Sequence, residues 1–328
     1  MGTKKPVHLY IPIHGIVFQA SDDPKIGRAI LTSLSYQHAE YLWEQFTEAV
    51  KTSYSGKLNL GREYLKGITR DYFSTLEAQL LCAEFEVSSD DLVEKSSRAV
   101  QETRLIVELL RYGAAFLPAR KDGTEYYITI ESPPEETEGI VAAATGDVAT
   151  MKHLSSKWTE GMPLEVDDEI LALWRQVGFF TAAEMYFKPA KTKFEEMLMR
   201  GIHWLSCAHG HIHQETRLVN LVTALEVLLG PDDNMERIAT PLAESAALLI
   251  EEGVNERIAM KSLVKKYYSL RSKVVHGGQR QAMTHEGMRE LTGIVARIIQ
   301  ALIVRKDEFQ TKQDLLAWLE RARLSVAR

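Results

Sequence analysis

The spacing of apolar residues predicts two regions with different secondary structure. Near the N-terminus, VHLYIPIHGIVF alternates apolar and polar positions and is rich in β-branched residues, which predicts a strand. After a turn-like SDDPKIG, apolar residues at helical spacing predict a helix over residues 28–52. A further helix is predicted from a possible SSDD cap at 88–91 to about Leu110, and TEYYITI predicts another strand. Residues 1–190 are therefore expected to form an α+β region.

From about Phe194 onward, every segment has the periodicity of a helix. The predicted helices span residues 195–213, 215–229, 235–251, 256–275, 284–304 and 311–323. Glycines between these segments, as in Gly230-Pro231, are typical of helix ends. Residues 191–328 are therefore expected to form a helical bundle, which makes the fold mainly α with an α+β N-terminal region.

The composition is that of an ordinary globular protein, with 45% hydrophobic and 26% charged residues. Two cysteines, Cys82 and Cys207, are too few for a disulfide framework, which favours a reducing, cytoplasmic compartment. Pro12 and His14 interrupt the apolar start, and no run approaches the roughly 18 apolar residues of a membrane span. Neither a signal peptide nor a membrane partner is expected.

A local excess of positive charge interrupts a chain whose net charge is −6. Residues 257–280 contain no acidic residue and carry Arg257, Lys261, Lys265, Lys266, Arg271, Lys273 and Arg280. An acidic protein is not expected to coat nucleic acid non-specifically, but this stretch can bind phosphates. A solvated helix face rich in lysine is the alternative.

The segment SLVKKYYSLRSKVVHGG, at 262–278, carries the best candidate chemistry. Apolar residues at helical spacing predict that one stripe is buried: Leu263, Tyr267, Leu270 and Val274. Arg271 and His276 are separated by about 140° around a helix and do not share one continuous face. Gly277-Gly278 predicts that the helix ends there, so His276 is expected in or just beyond its last turn.

Arginine and histidine at one helix end can cleave RNA without a metal or another cofactor. The ribose 2′-hydroxyl attacks the adjacent phosphate while histidine transfers a proton and guanidinium stabilises the phosphate oxygens. One pair does not supply both an acid and a base, which suggests that two copies meet in a homodimer. The spacing alone is a weak signal, because it recurs in Arg280-QAMT-His285, where nothing orients the two side chains together.

Three C-terminal segments together resemble a known family. They are TRLVNLVTALEVLLG at 216–230, ERIATPLAESAALLI at 236–250 and LVKKYYSLRSKVVHGG at 263–278. Residues 195–305 resemble the HEPN superfamily, specifically its ApeA-like branch. The resemblance implies a dimeric helical bundle and a metal-independent endoribonuclease whose Arg-x4-6-His motif is formed by Arg271 and His276. Ser272 departs from the Asn, Asp or His often found after this arginine, although serine is usual in the ApeA-like branch.

The resemblance also implies a role in prokaryotic defence or as a toxin, with RNA as substrate and an antitoxin or regulator as a possible partner. Lys265, Lys266 and Lys273 become candidate RNA contacts. Glu226 could lie inside the bundle near the motif or on the surface, and Arg237 has the same two alternatives. Residues 1–190 are expected to act as a sensor or regulator.

Two other functions are compatible with the sequence. Some HEPN domains are not nucleases, so the bundle could bind RNA or nucleotide, or scaffold an assembly, without catalysis. The segment HWLSCAHGHIHQE pairs Cys207 with His211 and His209 with His213 at i, i+4, which would suit a zinc-dependent hydrolase. The first alternative predicts no dimeric active site, and the second predicts bound metal.

Overall fold

The computed structural model describes residues 6–20, 23–34, 80–88, 92–118, 126, 128–130, 141–144, 149–152, 163–209, 213–231, 238–277 and 283–326. The fold is mainly helical with a small N-terminal sheet, as predicted. The chain divides into two compact units, Met1–Val107 with Tyr126–Leu173, and Glu108–Glu125 with Trp174–Arg328. The functional division at residue 190 stays a prediction.

The first unit contains a six-stranded sheet and a two-stranded one. Its strands are β1 (Pro6–Pro12), β2 (Ile16–Phe18), β3 (Lys25–Ile26), β4 (Ala29–Leu34), β5 (Leu80–Ser88), β6 (Val141–Ala144), β7 (Ala149–Lys152) and β8 (Leu164–Val166). The larger sheet is antiparallel, in the order β3-β4-β5-β1-β6-β7, and β2 pairs with β8 in parallel. The predicted N-terminal strand is confirmed, but Gly15, with a φ of 80°, separates it into β1 and β2.

The helix predicted over residues 28–52 is wrong over its first part, because Ala29–Leu34 forms strand β4. In this strand Ala29 and Leu31 are buried whereas Ile30 is exposed, which is the two-residue period of a sheet. Backbone pairing with β5, in which Leu31 lies opposite Ala83, stabilises the extended conformation. The rest of the predicted helix, residues 35–52, lies outside the described residues.

The helices are α1 (Leu92–Ala114), α2 (Asp168–Gln176), α3 (Phe179–Phe187), α4 (Lys193–His209), α5 (Gln214–Leu229), α6 (Ala239–Ile250), α7 (Val254–Gly277), α8 (His285–Val304) and α9 (Lys312–Val326). Every helix predicted after Phe194 is present; α4 is described as far as His209, and residues 210–212 of the predicted helix 195–213 lie outside the described residues. The predicted cap of α1 at 89–91 lies outside the described residues. Among the helices of the described residues, none combines the length and apolarity needed to cross a membrane.

The core of the second unit is formed where α4, α5 and α8 pack together. Leu221, Leu225 and Leu228 of α5 and Leu291 and Ile298 of α8 have at most 1% of their surface exposed. Helix α4 approaches α5 closely at Gly201, where a Cβ atom would lie 2.6 Å from Leu228 Cδ2. This close approach leaves no room for a larger residue unless Leu228 moves.

We expect Gly201→Val to lower the free energy of unfolding by about 1–3 kcal/mol, because the added atoms would overpack the contact with Leu228. Gly293 provides a matched control within α8, since a Cβ there would meet no atom within 4 Å. Gly293→Ala should raise the free energy of unfolding by roughly 0.5–1 kcal/mol. Denaturant unfolding measures both effects. A Gly201→Val protein with the wild-type free energy of unfolding would contradict the close packing of α4 on α5.

Candidate active site around Arg271 and His276

The C-terminal end of α7 places His276 in the last turn of the helix, as the two glycines predicted. The His276 side chain is exposed and makes no hydrogen bond or ion pair with any described residue. Gly278 and Arg280 lie outside the described residues. The exposed side chain of His276 is accessible to a ligand.

The buried face of α7 differs from the predicted stripe. Tyr267 is buried as expected, with 1% exposed, but Leu263, Leu270 and Val274 are only half-buried. The other buried positions of α7 are Met260 and Val264. These positions are spaced i, i+4 and i+7, and the next member of the series, i+11, is Arg271. The core-facing side is rotated toward the arginine, so a guanidinium occupies a position that an apolar residue would normally take.

Glu226, on the neighbouring helix α5, holds Arg271 in this half-buried position. Arg271 Nη2 donates to Glu226 Oε2 at 3.3 Å, and the two side chains are 21% and 23% exposed. Tyr268 also lies beside Glu226. Burial raises the pKa of Tyr268, and the neighbouring Glu226 carboxylate adds to this effect. Glu226 thus lies against the motif, while Arg237 lies outside the described residues.

The guanidinium of Arg271 has donors that Glu226 does not use. Arg271 Nε is buried and has no hydrogen-bond partner among the described residues. Leaving such a donor unpaired costs on the order of 1–3 kcal/mol. A residue that only closed the packing between α5 and α7 would avoid this cost if it were apolar.

Within one chain, Arg271 and His276 do not converge on a common point. They are separated by about 140° around α7 and by about 7.5 Å along its axis. Arg271 faces α5, whereas His276 faces solvent. A site that uses both side chains on one phosphate requires either a substrate that spans this distance or a second copy of the chain.

The basic stretch separates into paired and unpaired cations. Three of its members interact with other parts of the second unit: Arg257 donates to the carbonyl of Glu251 at 2.8 Å, Lys261 contacts Glu244 at 2.5 Å, and Arg271 contacts Glu226.

Lys265, Lys266 and Lys273 form no ion pair with any described residue, although the ammonium of Lys266 lies 5.4 Å from the ring centre of Tyr267. The three lysines and His276 lie within about 100° of arc on α7. The cations left unneutralised thus share the side of the helix that carries His276.

The predicted zinc ligands are not brought together among the described residues. His211 lies outside them, and no group of three or more His, Cys, Asp or Glu side chains within them is arranged to hold a metal ion. Cys207 instead contacts His203, whose ring nitrogen Nε2 lies 3.6 Å from the sulfur. The i, i+4 spacing of His203 and Cys207 is visible in the sequence. The contact of His203 with Glu108, 95 residues away in the chain, is not.

We expect a double-mutant cycle of Glu226→Ala and Arg271→Ala to give a coupling energy of about 0.5–3 kcal/mol in equilibrium unfolding, because both groups are partly buried. The exposed pair Arg305 and Glu308, with 38% and 49% of the side chains accessible, serves as control. Its coupling should not exceed about 0.5 kcal/mol. Equal values for the two pairs would show that the Arg271 contact does not hold α7 against α5.

Comparisons of the chain with protein-family models, with curated proteins and with solved structures gave no match. The resemblance to the HEPN superfamily therefore rests on the C-terminal sequence segments alone.

Proposed function

We propose that this protein is a metal-independent endoribonuclease of HEPN type that acts as a homodimer in prokaryotic defence or as a toxin. The observation that carries the proposal is the position of His276 in the last turn of α7. It is exposed, and it shares one side of the helix with three lysines that have no carboxylate partner among the described residues. That side combines a proton-transfer group with cations that attract a phosphate backbone.

In the proposed reaction the substrate supplies its own nucleophile. The ribose 2′-hydroxyl attacks the adjacent phosphorus, its proton passes to a base, and the 5′-oxygen leaves with a proton from an acid. His276 of one copy serves as base and His276 of the second copy as acid. Two copies are needed because one imidazole cannot accept and donate in the same step.

Arg271 is assigned to the negative charge that develops on the non-bridging phosphate oxygens. Its contact with Glu226 restrains the guanidinium before substrate binds, so less conformational entropy is lost in the transition state. The 21% of the Arg271 side chain that is exposed gives substrate partial access. Residues 1–190 are assigned a sensory or regulatory role.

The same ion pair favours a second candidate function. If the Arg271 and Glu226 contact only stabilises the packing of α7 on α5, the lysines and His276 form a surface that binds RNA or nucleotide without cleaving it. The two functions differ in whether loss of His276 abolishes a reaction or merely weakens binding.

We expect the full-length protein to cleave mixed RNA in excess EDTA and to leave 2′,3′-cyclic phosphate and 5′-hydroxyl ends. His276→Ala and Arg271→Ala should each lower the cleavage rate by at least about 100-fold, because proton transfer and charge stabilisation respectively are removed. His285→Ala is the matched control, because it removes the histidine of the second Arg-x4-His sequence and should leave the rate unchanged.

Cleavage that is equal in wild type and in both variants would exclude Arg271 and His276 as catalytic residues. If wild type binds RNA but does not cut it, even as an isolated dimer, the binding function is favoured. Mapping of the product ends by mass spectrometry separates this chemistry from metal-dependent hydrolysis, which yields other termini.

We expect Lys265→Ala and Lys273→Ala to weaken RNA binding and its dependence on salt. For single-stranded RNA, removing one lysine that neutralises a phosphate should reduce the slope of log K against log salt by about 0.7. Lys261→Ala is the control, because this lysine is already neutralised by Glu244 and should change the slope little. Filter binding or fluorescence anisotropy over a salt series measures the slopes, and equal slopes for all variants would place the RNA on another surface.

A further inference from the structure

A cluster on α1 and α4 of the second unit joins the side chains of Cys207, His203 and Glu108. Cys207 Sγ lies 3.6 Å from His203 Nε2, and His203 Nδ1 donates to Glu108 Oε1 at 2.7 Å. Because Glu108 fixes one ring nitrogen, the other is directed at the sulfur. Cys207, His203 and Glu108 are thus arranged as a nucleophile, a proton-transfer group and a group that orients the proton-transfer group.

The surroundings hold Glu108 in place. The hydroxyl of Tyr186, on α3, lies 3.1 Å from both Glu108 Oε2 and the carbonyl oxygen of Met199. Burial and the Glu108 carboxylate raise the pKa of Tyr186 well above its usual value, so it stays a donor. Arg111, one turn beyond Glu108 on α1, donates to the carbonyl and hydroxyl of Ser206 at 3.2 Å.

The charge on His203 follows from these interactions. The hydrogen bond with Cys207, and next the one with Glu108, raise the pKa of His203 to about 10 against the opposing effect of burial. At neutral pH the ring therefore carries two N–H groups, one donating to Glu108 and the other to the sulfur. The His203 side chain is 50% exposed, so small molecules can reach the pair.

We propose that Cys207 is a nucleophilic centre that reacts with hydroperoxides, with His203 as the proton donor and Glu108 as a positioning residue. The sulfur attacks one peroxide oxygen, an S–O bond forms and the O–O bond breaks. Sulfur loses two electrons and the peroxide oxygens gain them. The departing oxygen takes the proton held between Nε2 and Sγ, giving Cys207 sulfenic acid and water or an alcohol.

The hydrogen-bond donors near Cys207 favour hydroperoxides over acyl compounds as substrates. Acyl transfer builds negative charge on a carbonyl oxygen, which needs its own hydrogen-bond donors. Cys207 lies within α4, where backbone N–H groups are used by the helix. Peroxide cleavage needs one proton at the departing oxygen, and His203 Nε2 supplies it.

The test measures the oxidation of the full-length protein by hydrogen peroxide, using a dione that traps sulfenic acid and mass spectrometry of the peptides. Cys207 should be labelled, whereas Cys82, with 1% of its surface exposed, should not. His203→Gln should slow the labelling at least about tenfold, because the proton donor is removed. His209→Gln is the matched control on α4 and should react at the wild-type rate.

Glu108→Gln tests the positioning role. It should slow the oxidation and also shift the NMR titration of the His203 ring to lower pH, because one hydrogen bond that raises its pKa is weakened. If Glu108 acted only through packing, its replacement would leave that titration unchanged. Circular dichroism establishes that each variant is folded.

The proposal is overturned if His203→Gln, or Glu108→Gln should the former not fold, is oxidised as fast as wild type. It is also overturned if Cys207 of the native protein reacts no faster than Cys207 of the urea-unfolded chain. The proposal is supported if Cys207 of the native wild type is oxidised faster than in the urea-unfolded chain, and if His203→Gln and Glu108→Gln slow the oxidation whereas His209→Gln does not.

Discussion

The candidate site depends on the orientation of α7, in which Arg271 faces Glu226 of α5. An arginine in the core-facing series of the helix is tolerated because α5 presents a carboxylate opposite it. Once Arg271 faces α5, a residue five positions later must face about 140° away. His276 and the unpaired lysines are thereby directed to solvent. The orientation that pairs Arg271 with Glu226 therefore exposes the histidine.

The sequence predicts those features of the site that depend on one helix. Gly277-Gly278 correctly predicted that His276 lies in the last turn of α7, since a helix end is a local property. The buried face of α7 is rotated relative to the predicted stripe. Arg271 occupies a core-facing position, whereas the apolar residues Leu263, Leu270 and Val274 are only half-buried. Apolar periodicity cannot anticipate a buried cation, whose partner Glu226 is 45 residues away in the chain.

The strand β4 shows the same limit in the first unit. Its sequence AILTSL is compatible with both a helix and a strand, and pairing with β5, about fifty residues later, decides between them. In the second unit, the contact of Glu108 with His203 spans 95 residues, so the acid that orients this ring was not predicted, although His203 and Cys207 are one helical turn apart. Polar contacts between residues far apart in the sequence, such as these, leave no periodic signal.

The two histidines differ in what fixes them. His203 is held by a carboxylate on one nitrogen and a sulfur on the other, so its orientation exists before any ligand arrives. His276 has no such partner among the described residues, so none of them fixes the orientation of its ring. Catalysis by an unrestrained imidazole is slowed by the conformational entropy of ordering the ring, unless the substrate or a second copy orients it. The composite dimeric site proposed for RNA cleavage is thus the arrangement that supplies what a single α7 lacks.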